Sequence, residues 1–284
     1  MSGQEQFDRA HRIENKFSLF NKRGKFEQAS EAYVKAGNLF KLEHNNASAA
    51  EAYLKAAECL SVYEEDNFNV TQYMLKAADV LGAIDIDKSV AILHDAIRRL
   101  QTVGSFKQAA KRMEQIGNLY LEGNRKKEGL DAYKQASQLY YQENCEGSGD
   151  KLMTEVANEL ALLDETEEAA RIFSELGQKL INDRLRRLQV REMFLKSGLC
   201  YLYLDIEAAK AEHAKFVDLD ATFERSKEEE LLRNLIEAVE AEDANLVGQI
   251  SRDYDTIATL DNWKTSMLYK IRTDLEEEED GGVV

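Results

Sequence analysis

The chain has 284 residues and a formal net charge of −16, with 44% hydrophobic residues, no proline and three cysteines. This apolar fraction is enough for a folded core, and the abundance of Ala, Leu, Glu, Lys and Gln favours helices over strands. The cysteines have no paired spacing, and we find neither a signal peptide nor an apolar run of about 18 residues. We therefore expect an all-α protein in a reducing, cytosolic setting, which excludes a disulfide-rich secreted domain.

The first feature along the chain is the apolar segment FSLF, which stands between polar residues just ahead of the first clear helical pattern. Two asparagines, a serine and a glycine around it are poor helix formers, so we predict a loop at about residues 15–24. The loop carries three bulky apolar side chains, Phe17, Leu19 and Phe20. A hydrophobic staple or a cap over the first helical hairpin would account for them.

A repeat of about twenty residues follows. Segments such as VKAGNLF, LKAAECL, EQIGNLY and LKSGLCY align on one recurring position, with steps of 19 to 21 residues. The nine recurring residues are Ala36, Ala56, Ala77, Ala96, Ile116, Ala136, Val156, Leu176 and Ser197. One helix of about 14 residues plus a short turn fits each step. The residue directly after each recurring position is small, except for Ile97. We predict a twisted sheet of antiparallel, tetratricopeptide-like helical hairpins over residues 1–217.

The repeat register is lost from about residue 218 onward. The pattern there predicts several shorter helices that close into a bundle over residues 218–284. Its expected core consists of Leu260, Trp263, Met267, Leu268 and Ile271. This part holds 19 acidic against 7 basic residues. The negative electrostatic field of this excess of acidic residues repels nucleic acid and attracts basic protein surfaces. The alternative interpretation is that the acidic residues only keep the protein soluble.

Enzyme chemistry is not indicated. The sequence contains no Gly-rich phosphate loop, and its four histidines are scattered without a second ligand at metal-binding spacing. We therefore predict a protein that is not an enzyme and that needs no cofactor or metal.

Three basic residues recur at the spacing of two repeats: Lys111, Lys151 and Arg191. They should fall on alternate helices and on one face of the predicted sheet, spanning about 35 Å. Such a stripe would fit a long acidic partner, and three unrelated surface bases are the alternative.

Several segments resemble a known family. REMFLKSGLCYLYLDIEAAKAE and RDYDTIATLDNWKTSMLYKIRTDLEEEED closely resemble the C-terminal part of the alpha-type soluble N-ethylmaleimide-sensitive factor attachment proteins. FSLF followed by GKFEQASEAYVKAGNLFK resembles the start of that family, so the resemblance covers nearly the whole chain. The repeat alone would suit any tetratricopeptide-like scaffold, whereas the YD…LD.WK segment after acidic helices would not.

The resemblance implies an adaptor that grips SNARE four-helix bundles and presents them to a hexameric ATPase, N-ethylmaleimide-sensitive factor, for disassembly. It assigns the SNARE contact to Lys111, Lys151 and Arg191. Acidic residues of the C-terminal part would meet the ATPase, namely Asp205, Glu237 and Glu240, with Glu242 and Asp243 nearby. We then expect a cytoplasmic protein that is peripheral on membranes and does not bind nucleic acid.

For the N-terminal loop, the resemblance implies that Phe17, Leu19 and Phe20 contact a membrane surface. Two rival functions stay open at this point. The first is a general peptide-binding scaffold of the co-chaperone type, which would need a carboxylate clamp in one groove. The second is an enzyme with an unrecognised helical active site.

Overall fold

The computed structural model describes residues 2–17, 21–63 and 68–281, with side chains described as far as residue 277. Within these ranges the chain forms fourteen helices and no strand, which confirms the all-α prediction. The helices are α1 (Gly3–Asn15), α2 (Lys22–Leu42), α3 (Asn46–Ser61), α4 (Phe68–Leu81), α5 (Ile86–Thr102), α6 (Phe106–Glu122), α7 (Lys126–Gln142), α8 (Glu146–Leu162), α9 (Thr166–Leu180), α10 (Gln189–Leu204), α11 (Ile206–Leu219), α12 (Lys227–Glu240), α13 (Ala244–Ile257) and α14 (Asn262–Gly281).

The chain divides into two compact units, residues 1–149 and 150–284. In the first unit each helix from α1 to α7 packs against the next one in sequence, as stacked helical hairpins require. The second unit holds the rest of the repeat together with the acidic C-terminal helices. The functional division at residue 217 stays a prediction.

The recurring positions of the repeat form the core of the hairpins. All nine are buried, with at most 5% of their surface exposed. Where the following residue is the glycine of α2, α6 or α9, it admits an aromatic ring from the next helix, since a Cβ atom on Gly37 would lie 2.7 Å from the ring of Tyr53. The Tyr53 hydroxyl donates to Asn38 Oδ1 at 2.8 Å, and Tyr133 bonds Asn118 in the same way. The hairpins α2–α3 and α6–α7 therefore share the same packing of glycine, tyrosine and asparagine.

The turns repeat as closely as the core. After several helices one residue takes a positive φ, and the next N–H bonds to the carbonyl five residues back, as Asn45 N does to Phe40 O at 2.8 Å. The positive-φ residues are His44, Gly104, Asn124, Asn144, Asp164 and Glu242. Asn and Asp tolerate this conformation better than most residues do. Such turns connect the helices at residues 43–45, 103–105, 123–125 and 143–145.

Two features at the N-terminus differ from the expectation. Helix α1 was not predicted, yet Ser2 and Glu5 cap it reciprocally, and Phe7 packs 5.1 Å from the ring of Tyr33. Helix α2 begins at Lys22, inside the loop expected at about 15–24, because Asn21 accepts a hydrogen bond from Gly24 N at 2.9 Å and so serves as its N-cap.

The second unit is built around α10, which contacts α9, α11, α12 and α14. Phe194 of α10 stacks on Phe216 of α11 with ring centroids 4.2 Å apart. Helix α14 returns to α8, where the indole N–H of Trp263 donates to the Asn158 carbonyl at 3.0 Å. Four of the five residues expected in the C-terminal core are buried, and Leu260 is half-buried. This packing holds α14 beside the last turn of α10.

A buried lysine completes this junction. Lys196 is 6% exposed, lies 4.7 Å from the Trp263 ring and donates to Asn158 Oδ1 at 2.9 Å. Burial lowers the pKa of Lys196, and the carboxylate of Glu192 acts in the opposite direction. Lys196 of α10 thus contacts α8 through Asn158 and α14 through Trp263.

Candidate partner-binding surfaces

The three predicted basic residues lie on alternate helices, as the repeat spacing requires. Lys111 is exposed on α6 in the first unit, whereas Lys151 on α8 and Arg191 on α10 belong to the second. The Lys151 side chain is 75% exposed, and its Nζ lies 3.7 Å from Glu155, a surface ion pair of little energetic weight. The alignment of all three in one stripe stays a prediction.

Within the second unit, α8 and α10 run side by side in the same direction. The Thr154 hydroxyl contacts Met193 Sδ at 4.0 Å, and one turn further along both helices Asn158 meets Lys196. Lys151 and Arg191 each lie two or three residues before the first of these contacts. The two basic side chains therefore start from the same level of neighbouring helices.

The connection between α9 and α10 adds an element that the sequence analysis missed. Leu185 and Leu188 are 94% and 80% exposed, and both stand in the basic segment DRLRRLQVR just ahead of Arg191. Arg184 and Arg187 are also exposed. The available signal in the sequence was the pair of leucines within a basic run, just after a repeat helix.

The predicted acidic residues gather at the other end of α10. A cavity of about 300 Å³ opens between α10, α11, α12 and α14, and its floor includes Leu202, Ile271 and Leu275. The carboxylates around it belong to Asp205, Glu207, Glu240, Glu242 and Asp274. Three of the five residues predicted to meet a basic partner thus lie around one apolar depression. Glu237 and Asp243 are exposed on the same α12–α13 segment.

Local structure fixes these carboxylates. Asp205 caps α11 and Asp243 caps α13, each accepting a backbone N–H at 2.8 Å. Lys210 Nζ donates to Glu240 Oε1 at 2.6 Å and to Glu207 Oε1 at 3.0 Å, and these hydrogen bonds raise the pKa of Lys210. Glu242 is the positive-φ residue of the turn between α12 and α13. The acidic surface is therefore held by secondary structure rather than by loose side chains.

Of the three apolar residues of the N-terminal segment, Phe17 is 82% exposed, and Leu19 and Phe20 lie outside the described residues. None of the helices in the described ranges is long and apolar enough to cross a bilayer. Among the described side chains, no group of three or more His, Cys, Asp and Glu residues is placed to hold a metal ion.

A known protein family matches nearly the whole chain. The sequence profile described as "Soluble NSF attachment protein, SNAP" matches residues 2–276. The chain belongs to this family. Its members are adaptors rather than enzymes, and membership supports a role in vesicle fusion.

Curated relatives match along nearly their whole length. The "Probable vesicular-fusion protein sec17 homolog" of Schizosaccharomyces pombe is 29% identical, covering 93% of this chain and 92% of the relative. The human "Alpha-soluble NSF attachment protein" is 28% identical, covering 92% and 89%. Among solved structures, a signal-transduction ATPase with a tetratricopeptide repeat sensor from Pyrococcus horikoshii matches with a TM-score of 0.43 and 14% identity, over 93% of this chain and 42% of that one.

Proposed function

We propose that the chain is an adaptor that binds assembled SNARE complexes and recruits the ATPase N-ethylmaleimide-sensitive factor to disassemble them during membrane fusion. One observation carries the proposal beyond family membership. Helix α10 has Arg191 in its first turn and Asp205 at its C-terminal end. At a rise of about 1.5 Å per residue, these two positions are roughly 21 Å apart along the helix. A basic and an acidic surface at opposite ends of one helix allow two partners to bind at once.

The basic end suits an acidic, rod-shaped partner. Lys111, Lys151 and Arg191 would contact acidic side chains of the SNARE bundle, and Leu185 and Leu188 would add apolar contact in the unit that carries Lys151 and Arg191. Full burial of one leucine contributes about 1.5–3 kcal/mol, so the two leucines supply more energy than exposed ion pairs do. The charges then govern orientation and association rate, and the leucines contribute to the lifetime of the complex.

The acidic end suits a basic protein domain. Asp205, Glu237, Glu240, Glu242 and Asp243 would meet the N-terminal domain of the ATPase. The basic surface would repel the basic ATPase domain, and the acidic surface would repel the acidic SNARE bundle, because bringing like charges together costs several kcal/mol. This arrangement supports a fixed orientation of the ATPase relative to the SNARE bundle.

A bridging experiment tests the proposed function. Assembled SNARE bundles are immobilised and exposed to the ATPase with and without the chain, and a short C-terminal peptide replaces the bundle in a parallel channel. We expect retention of the ATPase only when the bundle and the chain are both present. Binding of the peptide with no binding of the bundle would favour the peptide-binding scaffold instead.

The N-terminal segment is proposed to contact the membrane, which would make the protein cytoplasmic and peripheral. Burying Phe17, Leu19 and Phe20 would contribute about 5–8 kcal/mol at most, comparable to the marginal binding of a single acyl chain. Such a contact does not anchor a protein alone. It becomes effective when the SNARE partner already sits in the bilayer and raises the effective concentration.

Replacing these three residues by serine is expected to change activity in one disassembly assay and not in another. Disassembly of detergent-solubilised SNARE bundles should stay normal, whereas disassembly in liposomes should fall sharply, because only there does the segment add binding energy. The free energy of unfolding should change by about 1 kcal/mol or less if, as proposed, the segment contacts the membrane and not the core. Equal activity in both settings would remove the membrane contact, and a large drop in melting temperature would indicate a packed cap.

A further inference from the structure

In the connection between α9 and α10, two leucines are exposed while two arginines bond to buried carboxylates. Leu185 and Leu188 point into solvent, while the arginines between them, Arg186 and Arg187, are bonded to carboxylates of the protein interior. Soluble proteins normally bury leucine and expose arginine. A specific set of interactions must therefore hold this segment with its leucines outward.

The first interaction involves Asp150 of α8, whose side chain is 8% exposed. Arg186 Nη1 donates to Asp150 Oδ2, and Lys179 Nζ donates to Asp150 Oδ1 at 2.8 Å. Arg186 Nε also donates to Asp183 Oδ2 at 2.6 Å, and this bond lowers the pKa of Asp183. Asp150 thus joins the end of α9 and the following connection to the helix that carries Lys151.

The second interaction involves Asp220, which closes α11 and has a fully buried side chain. Arg187 Nη2 donates to Asp220 Oδ1 at 3.1 Å, and the backbone and hydroxyl of Thr222 donate to the same carboxylate at 3.0 and 2.9 Å. Burial alone would raise the pKa of Asp220, but the bonds from Thr222 and Arg187 outweigh it and lower the pKa. The group is accordingly charged at neutral pH.

We propose that Asp150 and Asp220 are positioning residues that hold the α9–α10 connection in one conformation with Leu185 and Leu188 outward. An arginine that turned outward would remove a charge-assisted bond from a buried carboxylate, leaving Asp150 with Lys179 and Asp220 with the bonds from Thr222, so that conformation is unfavourable. With Arg186 and Arg187 bonded to these carboxylates, the two leucines lie on the surface. The effect on binding rests on the proposed function: leucines that are already held in place lose less conformational entropy when a SNARE bundle covers them.

The test uses the full-length chain with Asp150→Asn, Asp220→Asn and a matched control, Asp164→Asn. Asp164 also accepts from a lysine, Lys270 at 2.7 Å, but its side chain is 77% exposed. Hydrogen exchange by mass spectrometry compares the amides of residues 183–189 with those of α9 and α10. We expect about tenfold faster exchange at 183–189 in the two buried-site variants, because a charge-assisted bond that closes the segment is lost. The control should match the wild-type chain.

A binding cycle then tests the consequence. Asp150→Asn, the double change Leu185→Ser and Leu188→Ser, and their combination are titrated with assembled SNARE bundles. If Asp150 acts through the leucines, its substitution weakens binding in the wild-type background and adds little once the leucines are gone.

Each outcome bears on a separate claim. Unchanged exchange at 183–189, or exchange that rises equally throughout α9 and α10, would overturn the positioning role. Fully additive binding losses would overturn its connection to the leucines. Failure of the wild-type chain to bind the bundle at all would overturn the SNARE contact of the proposed function, while the exchange data would still decide whether the aspartates hold the segment.

Discussion

Reversing Lys111 and Lys151 to glutamate is expected to weaken binding to assembled SNARE bundles about a hundredfold at physiological ionic strength. Each change turns attraction into repulsion at an acidic surface, and two such changes together cost roughly 3 kcal/mol. Both side chains are exposed, and the ion pair of Lys151 with Glu155 is long, so the free energy of unfolding should change by less than about 0.5 kcal/mol. Titration of labelled bundle measures the affinity, and urea denaturation measures stability.

The matched control carries the same change in formal charge at other positions. Lys88 on α5 and Lys215 on α11 are exposed surface lysines paired with a nearby carboxylate. Their reversal should leave bundle affinity within about twofold, since only the overall charge has changed. If both double variants lose affinity equally, net charge rather than the proposed basic surface determines binding. If neither does, the contact with the SNARE bundle lies elsewhere.

The repeat could be predicted from the sequence because each unit repeats its own packing. A small residue follows every core position except Ala96, and several accept a ring of the next helix, as Gly37 accepts Tyr53, so the pattern is visible without knowledge of distant contacts. The same logic could not find α1, which has no place in the repeat and few apolar residues. The sequence signal for α1 was the capping box of Ser2 and Glu5, a local feature that a search for repeats does not detect.

The binding surfaces were only partly predictable. The acidic residues were named through resemblance to a family, but the cavity that gathers Asp205, Glu240 and Glu242 depends on α14, which returns to α10 from the far end of the chain. The outward leucines contradict what hydrophobicity alone predicts, since Leu185 and Leu188 would be assigned to a core. Their placement depends on ion pairs with Asp150 and Asp220, more than thirty residues away in either direction.

The acidic residues at and beside the cavity are expected to have a large effect on recruitment of the ATPase. Neutralising Glu237, Glu240, Glu242 and Asp243 is expected to lower the association rate with the ATPase by ten- to a hundredfold at low salt. Electrostatic steering raises association rates by about 10 to 1,000-fold and falls steeply with ionic strength. The salt dependence of recruitment should therefore flatten in the variant, and binding of SNARE bundles should be unchanged. Stopped-flow measurements at several salt concentrations check both points.

The structure indicates which substitutions remove these charges and keep the fold. Asp243 caps α13 through Leu246 N, and alanine at such a position costs about 1 kcal/mol, whereas asparagine retains the cap and removes the charge. We therefore combine Asp243→Asn with glutamine at the three glutamates. Loss of Glu240 also releases Lys210, which then retains Glu207 as its partner. The cavity should keep its shape while it loses negative charge.

A control variant with four glutamines in the first unit separates local from global charge. The chosen residues are exposed glutamates of α2, α3 and α6, namely Glu27, Glu51, Glu58 and Glu122. They change the net charge by the same amount, but they lie in the other unit, so recruitment should keep most of its rate and salt dependence. If the cavity variant loses SNARE binding together with ATPase recruitment, the acidic residues serve the fold of the second unit. In that case the two ends of α10 do not act as independent binding surfaces.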